Sequence, residues 1–496
     1  MTEARDLDRD EGRRRLGWAC GGLLLLGLML RLASLVPASM HHPDEVLQYL
    51  EPAHRLLYGY GLHTWEFRYG MRGWLLPLLL SGPMALGAPF GWQVILPRAA
   101  LTVLSLLVPL AAFRLGGLKS WRHGLVAMAA TAVWAETVFF STHTLAEPLA
   151  TAFALAGAAL IMAPIAGRAW ASHLAGGLLL GLAVGLRFHY APALAVFAMV
   201  ECRLEWARRW VPLVLGGGGG LAVVAGADLA TGHVPLAWIF ENVFQNLEQG
   251  RAATYGATPP YYYVLMLGGD WLWALPVIAL GLCPVIRRYQ SLLAAAAVNF
   301  AILSLIAHKE YRFLLLTSTI CVAVAAVGSL DWIDRLCRGR ATQSRRLVLG
   351  IGLWMLLSVS LAVGPYMRGR WTDDGPALLA ARAAHDLPGL CGLALHRLKF
   401  WQGGGYTYLH RDVPLYLTRW SDPVQLDAGG IARTAPAWNA VIAPPDALGS
   451  LPPAYRRVAC FGPGREAVCL LQRPGGCTPA AGAGWEEQAL MTSHDW

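Results

Sequence analysis

The chain has 496 residues, 56% of them hydrophobic and only 14% charged, with a mean hydropathy of +0.44. Soluble domains carry about 25% charged residues, so this composition excludes an ordinary soluble protein and marks a polytopic membrane protein. The formal charge of +9 is no sign of a nucleic-acid partner, because the basic residues stand at the ends of apolar runs, where they fix topology.

Arg13-Arg14-Arg15 precede an apolar run from Leu16 to Leu35. The run lacks a small-residue cleavage site and, at roughly 20 residues, is long enough to cross a bilayer. It reads as a retained first helix behind a cytoplasmic N-terminus of residues 1–16. Further spans are predicted near 91–115, 123–140, 145–165, 171–186, 189–203, 211–230, 262–286, 291–307, 312–333 and 346–366, with the first at 17–38. The expected fold is an all-α polytopic membrane domain of about eleven helices over 17–367, followed by a soluble α/β domain over 368–496.

With the N-terminus inside, one set of loops holds Arg114, Lys119, Arg122, Arg168, Arg203, Arg208, Arg209, Arg287, Arg288 and the run Arg335 to Arg346. The other set is poorer in cations, which makes it the outer one. Segment 73–88, interrupted by Pro77 and Pro83, reads as a re-entrant or interfacial helix of the first outer loop. An odd number of crossings puts the tail outside as well. There the composition shifts to Pro and Gly, and Trp438 to Ile442 and Ala467 to Leu471 read as short strands. Four cysteines (Cys391, Cys460, Cys469 and Cys477) allow two disulfides in an oxidising compartment, with the pairing open. The scarcity of lysine, with only Lys119, Lys309 and Lys399, points to a bacterial source, and so to an inner membrane with the site facing the periplasm. In a eukaryote it would be the endoplasmic reticulum membrane.

The polar residues that need explaining all fall in the outer loops. The first holds His42-Pro43-Asp44-Glu45, Glu51, His54, His63, Glu66 and Arg72, and the second His143 and Glu147. The third is Arg187-Phe188-His189-Tyr190, and the fourth is long, from Thr231 to Tyr263, with Asn242, Asn246, Arg251 and the stretch Tyr255 to Tyr263. The fifth is His308-Lys309-Glu310-Tyr311-Arg312. An ionised side chain at a hydrocarbon boundary is costly and marks a functional or tightly paired group. Pro43 suits a first helical turn, which would set Asp44 and Glu45 at its positive end. Val46, Leu47, Leu50 and Leu57 would then lie on the bilayer surface, with a break at Pro52. The competing reading is that Asp44 only caps this helix. The fifth-loop cations suit a phosphate, which Arg binds bidentately and Lys as a point charge; the alternative is snorkelling anchors. The histidines lack a repeated zinc-like spacing, so no cofactor is expected and a divalent metal has no support. Gly216 to Gly220 has no Lys-Ser/Thr behind it and reads as a helix-packing surface rather than a phosphate loop.

His42-Pro-Asp-Glu45, Leu50-Glu-Pro-Ala-His54, Thr64-Trp65-Glu66, Arg72-Gly73-Trp74, Tyr255-Gly-Ala-Thr-Pro259 and His308-Lys-Glu-Tyr-Arg-Phe313 together resemble glycosyltransferase family 22. These are the polyprenyl-phosphate-mannose-dependent mannosyltransferases of GPI-anchor and N-glycan assembly, within the GT-C superfamily. The likeness covers roughly residues 17–366. It implies inverting transfer of a sugar, most simply mannose, from a polyprenyl-phosphate donor to a lipid-linked or glycan acceptor, among membrane lipids. On that reading Asp44 is the base, Glu45 shares or orients the proton, and Glu147 is the reserve. Arg187, His189, Tyr255, Tyr261, His308, Lys309 and Arg312 would bind the donor. His42, Glu66, Arg72, His143 and Glu147 would serve the acceptor or support the site. The alternatives are a lipid or glycan flippase, an envelope scaffold, and a GT-C transferase moving another sugar such as arabinose or glucose. Transporters place ionisable residues at mid-membrane, often in internal repeats, whereas here they stand in loops and no repeat is visible.

Overall fold

The structure, a computed structural model, describes residues 2–36, 38–421 and 424–493. The chain divides into two compact units. The first comprises Met1–Ser34, Ala99–Ile239 and Val243–Arg368; the second comprises Leu35–Arg98, Phe240–Asn242 and Gly369–Trp496.

The first unit is helical throughout. Six described helices are long and apolar enough to cross a membrane: Glu11–Leu35, Ile95–Gly117, Ala169–Leu186, Trp206–Ala230, Tyr311–Leu336 and Gln343–Ala362. The helices Tyr262–Trp271 and Ala274–Val285 make a seventh if they are one span, but they bend by 108°. The expected eleven are therefore corrected to six or seven. The run at 123–140 breaks at Trp134, whose ψ of 122° separates Trp121–Val133 from Ala135–Phe140. Ala146–Met162, Phe188–Cys202 and Gln290–Leu305 are apolar but short. At 1.5 Å per residue, a helix of 16 or 17 residues reaches only about 25 Å, against a hydrocarbon core of about 30 Å. Apolar windows counted residues; the fold counts uninterrupted helix. With fewer crossings, alternation alone no longer assigns each loop to a face.

The glycine run packs helix on helix. A Cβ on Gly216 would lie 2.0 Å from the Leu174 carbonyl oxygen, and one on Gly177 would lie 2.2 Å from that of Leu213. Backbones of Ala169–Leu186 and Val211–Ala230 thus approach to a distance that only glycine permits. Arg31 is buried in the first helix, and its guanidinium is consumed by Ser105 Oγ at 2.9 Å and the carbonyls of Gly27 (3.0 Å) and Ala132 (2.6 Å). Several of the basic loop residues are paired: Arg122 is bidentate to Asp334 at 2.8 and 3.1 Å, and Lys119 meets Asp331.

The second unit joins the first loop to the tail. Its sheet has five strands: β1 (Leu393–Leu395), β2 (Leu415–Leu417), β5 (Ala440–Ala443), β6 (Arg456–Phe461) and β7 (Val468–Gln472). A hairpin of β3 (Arg419–Ser421) and β4 (Val424–Gln425) stands apart. The order is β2-β1-β5-β7-β6, with β1 parallel to β2 and β5, and β7 antiparallel to β5 and β6. Its core gathers Trp438, Val441, Tyr455, Cys469 and Leu471. Cys391 is bonded to Cys477 and Cys460 to Cys469. Val46, Leu47 and Leu50 are buried in this unit rather than laid on a bilayer, while Leu56 and Leu57 stay exposed.

Candidate active site

The first-loop acids sit where the chain turns into helix. Glu45–Leu50 forms a π-helical turn and Glu51–Tyr58 an α-helix, which ends at Gly59 in the left-handed region. Asp44 occupies the N-cap position, and its side chain makes no capping hydrogen bond to this turn. His42 Nδ1 lies 3.2 Å from both the Asp44 backbone nitrogen and Asp44 Oδ1. The Asp44 side chain keeps 16% of its surface exposed. Glu45 is different: it is buried, and its Oε1 accepts from the backbone N–H of His41 (2.7 Å) and His42 (3.1 Å). That carboxylate fixes the turn on which Asp44 stands.

Glu66 pairs with Arg72 and accepts from Gln48. Burial pushes the Glu66 carboxyl up, opposed by Arg72 and helped by the nearby charge of Asp44. Burial works against the Arg72 guanidinium, but Glu66 and Asp44 outweigh it and hold the charge firmly on. Asp44, Glu66 and Arg72 therefore form one electrostatic group, with two acids around one cation.

Deeper in the same unit, Glu51 has no exposure. It accepts from Leu62 N, Thr407 N and Thr407 Oγ1, each at 2.6 Å. Gly405, at φ +59°, leaves the space this needs, since a Cβ there would lie 2.7 Å from Glu51 Oε1. His54 Nε2 meets His410 Nδ1 at 3.1 Å, and His54 Nδ1 meets the Tyr60 carbonyl at 3.0 Å. Burial raises Glu51 to about 7 and lowers His54 to about 4. Burial, then the proximity of Glu51, keeps Glu487 well above the usual carboxylate range. These residues bind the first loop to the tail. The tail half of this junction (Thr407, His410, Glu487) was not legible as a site, because it carries no motif.

In the first unit the second, third and fifth loops meet around Glu147. This residue lies in the first turn of Ala146–Met162 and is wholly buried. Its Oε1 is 3.3 Å from Arg187 Nη2 and 3.4 Å from Arg312 Nη1. Arg312 Nε also pairs with Glu310 Oε2, and Glu310 Oε1 meets His308 Nε2 at 2.8 Å. Both guanidinium groups lie over the Phe313 ring, at 5.1 and 5.3 Å.

The other expected members have contacts of their own. Lys309 donates to the carbonyls of Ile306 (2.6 Å) and Thr258 (3.0 Å), so two of its three N–H donors tie the fourth loop to the fifth. Tyr261 is 62% exposed; it is Tyr263, absent from the sequence-based set, whose hydroxyl donates to the Glu310 carbonyl at 3.2 Å. His189 packs on Phe188 at 3.9 Å, and His143, buried, on Phe139 at 4.3 Å. The Tyr255 side chain lies outside the described residues. Among the described residues, no three His, Cys, Asp or Glu side chains gather in a group that could hold a metal ion.

The profile of the Alg9-like mannosyltransferase family matches residues 23–368, a stretch holding both the Asp44 and the Glu147 groups. GPI mannosyltransferase 3 of Yarrowia lipolytica (strain CLIB 122 / E 150) is 26% identical over 433 residues, covering 80% of this chain and 76% of that protein. GPI alpha-1,2-mannosyltransferase 3 of Danio rerio is 27% identical over 308 residues, 55% of this chain and 52% of that one. The crystal structure of ArnT from Cupriavidus metallidurans bound to undecaprenyl phosphate is similar in fold, with a TM-score of 0.58 at 13% identity over 92% of this chain and 98% of that chain. The apo oligosaccharyltransferase of Archaeoglobus fulgidus gives 0.51 at 10% identity, over 87% and 70%. These structures speak for a shared fold. The family match spans most of the sequence and carries the motifs around which both charged groups are built, so the chain belongs to the Alg9-like mannosyltransferase family and is a glycosyltransferase.

Proposed function

We propose that the protein moves mannose from a polyprenyl-phosphate donor to a hydroxyl of a lipid-linked or glycan acceptor, with inversion, on the periplasmic or lumenal face of its membrane. The observation that carries this reading is the pair of guanidinium groups, Arg187 and Arg312, gathered on one buried carboxylate in a chain of this family. Such a pair suits a phosphate ester. The ArnT structure of similar fold, solved bound to undecaprenyl phosphate, supports a lipid-phosphate donor, and the relatives named GPI mannosyltransferase 3 support mannose. The two tail disulfides support the outer face, since such bonds persist in oxidising compartments.

The step balances without a cofactor. The acceptor oxygen forms a bond to the sugar's anomeric carbon while the bond from that carbon to the phosphate oxygen breaks. The lipid phosphate departs with the electron pair, and the acceptor proton passes to a carboxylate. Asp44 is the fit choice for that base, because its side chain is partly open whereas Glu45 is committed to two backbone N–H groups. Arg187 and Arg312 would meet the charge growing on the phosphate. The test is transfer by purified protein in sealed vesicles of known orientation, given polyprenyl-phosphate mannose and a glycolipid acceptor. Product should form when both substrates are supplied on the face bearing the tail, with the anomeric configuration inverted. Retention of configuration, or transfer only from the opposite face, would overturn the reading.

A further inference from the structure

Two features of the Glu147 group do not fit an ordinary buried salt bridge. Neither carboxylate oxygen has a well-formed hydrogen bond among the described residues, although the residue has no exposure. Its contacts to Arg187 and Arg312 are 3.3 and 3.4 Å, both on Oε1, whereas charge-assisted pairs close to about 2.7–2.9 Å. Arg187 Nε also lacks a hydrogen-bond partner among the described residues. A buried carboxylate held only by charge is costly, and a merely structural pair closes those distances to offset the cost. Two guanidinium groups whose contacts to this one anion are long can instead turn those N–H groups toward a better one, with Arg312 still held through Nε by Glu310.

Glycosyl transfer supplies a reason for such an arrangement. The donor phosphate is a diester with one negative charge, whereas the product is a monoester approaching two. Bare arginines would therefore hold the product more tightly than the substrate. We propose that Glu147 is a built-in counter-anion: it holds Arg187 and Arg312 in place when no lipid phosphate is bound, and after transfer it repels the lipid phosphate and so speeds its release. Glu147 is a positioning residue on this account and takes no proton. Glu310 cannot fill the role, since it is already engaged by Arg312 Nε and His308.

The inference rests on the lipid-phosphate reading and refines it, so the test uses binding as well as turnover. Farnesyl phosphate and farnesol are titrated into the full-length protein, in its unaltered form and as Glu147→Gln. Loss of one like charge in a partly desolvated site should tighten farnesyl phosphate by about tenfold or more, with farnesol unchanged. Turnover should then show a burst of one product per enzyme followed by a slower steady rate. A structural role for Glu147 would weaken both ligands together. Glu147→Asp draws the charge back by one methylene and should tighten farnesyl phosphate by a smaller factor; if the Gln variant does not accumulate, the Asp variant decides the question in its place. An unaltered protein that does not distinguish farnesyl phosphate from farnesol would overturn the proposed function and this inference with it. One that does distinguish them, with neither variant binding the phosphate more tightly, would overturn this inference alone.

Discussion

Glu51 and Glu147 are both wholly buried, and they are kept in opposite ways. Among the described residues, Glu51 accepts three hydrogen bonds of 2.6 Å and has no cation as a partner, while Glu147 has two arginines and no hydrogen bond. Directed bonds without a counter-charge let desolvation win, so the Glu51 proton is retained to about 7 and the side chain works as a fastener. Counter-charges without directed bonds keep an anion loosely, in a form that another anion can displace. The partners of a buried carboxylate, more than its burial, thus separate fold-holding from chemistry.

Asp44 tests that rule hardest, because it combines a partly open surface with a histidine contact, while its neighbour Glu45 is fixed by backbone. Asp44→Asn should cut turnover on the order of 10²-fold or more without lowering accumulation or Tm, as the loss of a general base does. Glu45→Ala should do the reverse in kind, lowering Tm by releasing the N–H groups of His41 and His42. Near-normal turnover by the Asp44→Asn protein would remove Asp44 as the base and break the comparison at its functional end.

A smaller effect is expected at Arg312, which two carboxylates share. Arg312→Lys keeps the charge but not the planar fork, so it cannot face Glu147 and Glu310 and also bind a phosphate. We expect roughly tenfold lower kcat/KM for the donor, with the acceptor KM unchanged. Lys309→Ala, by contrast, should act mainly through yield, because its ammonium ties the Ile306 and Thr258 carbonyls together. A silent Arg312→Lys in single-turnover assays at varied donor concentration would leave the fifth loop as a membrane anchor.

The sequence motifs identified the acids and arginines because they fall between apolar runs, where an ionised side chain needs a reason. They could not show which acid meets which cation. Glu147 and Glu310 are 163 positions apart, and both meet Arg312 only because helices bring the second and fifth loops together. Lys309 reads as an open cation in the sequence, since nothing local shows that two carbonyls lie within its reach. The number of crossings differs from the hydropathy count for a related reason: hydropathy is a sum over residues, whereas a span also needs helix continuity, which Trp134 and the bend after Trp271 interrupt. The union of first loop and tail was out of reach altogether. It depends on Gly405 and Thr407, two ordinary residues in a segment with no periodic pattern, meeting a glutamate about 350 positions away.

The finest consequence of the comparison is a pair of opposed pH dependences at that junction. Glu51 titrates near 4.5 when unfolded and about 7 when folded, so the folded form prefers the protonated carboxyl. Its contribution is complete below about 4.5 and is lost as pH rises toward about 7. His54 moves the other way, from 6.5 to about 4, so the folded form prefers the neutral ring. Its contribution is complete above 6.5 and is lost as pH falls toward about 4. In the intact protein these two slopes oppose each other, and Glu487, also held well above the usual carboxylate range, adds to the falling side. Glu51→Gln removes the first and should leave stability rising with pH up to about 6.5; His54→Asn removes the second and should leave it falling up to about 7. Hydrogen exchange at the Leu62 and Thr407 amides, corrected for intrinsic rate, reads the local opening without requiring the whole chain to unfold. If both variants keep the profile of the unaltered protein, Glu51 is not a protonated fastener, and the contrast with Glu147 loses its structural half.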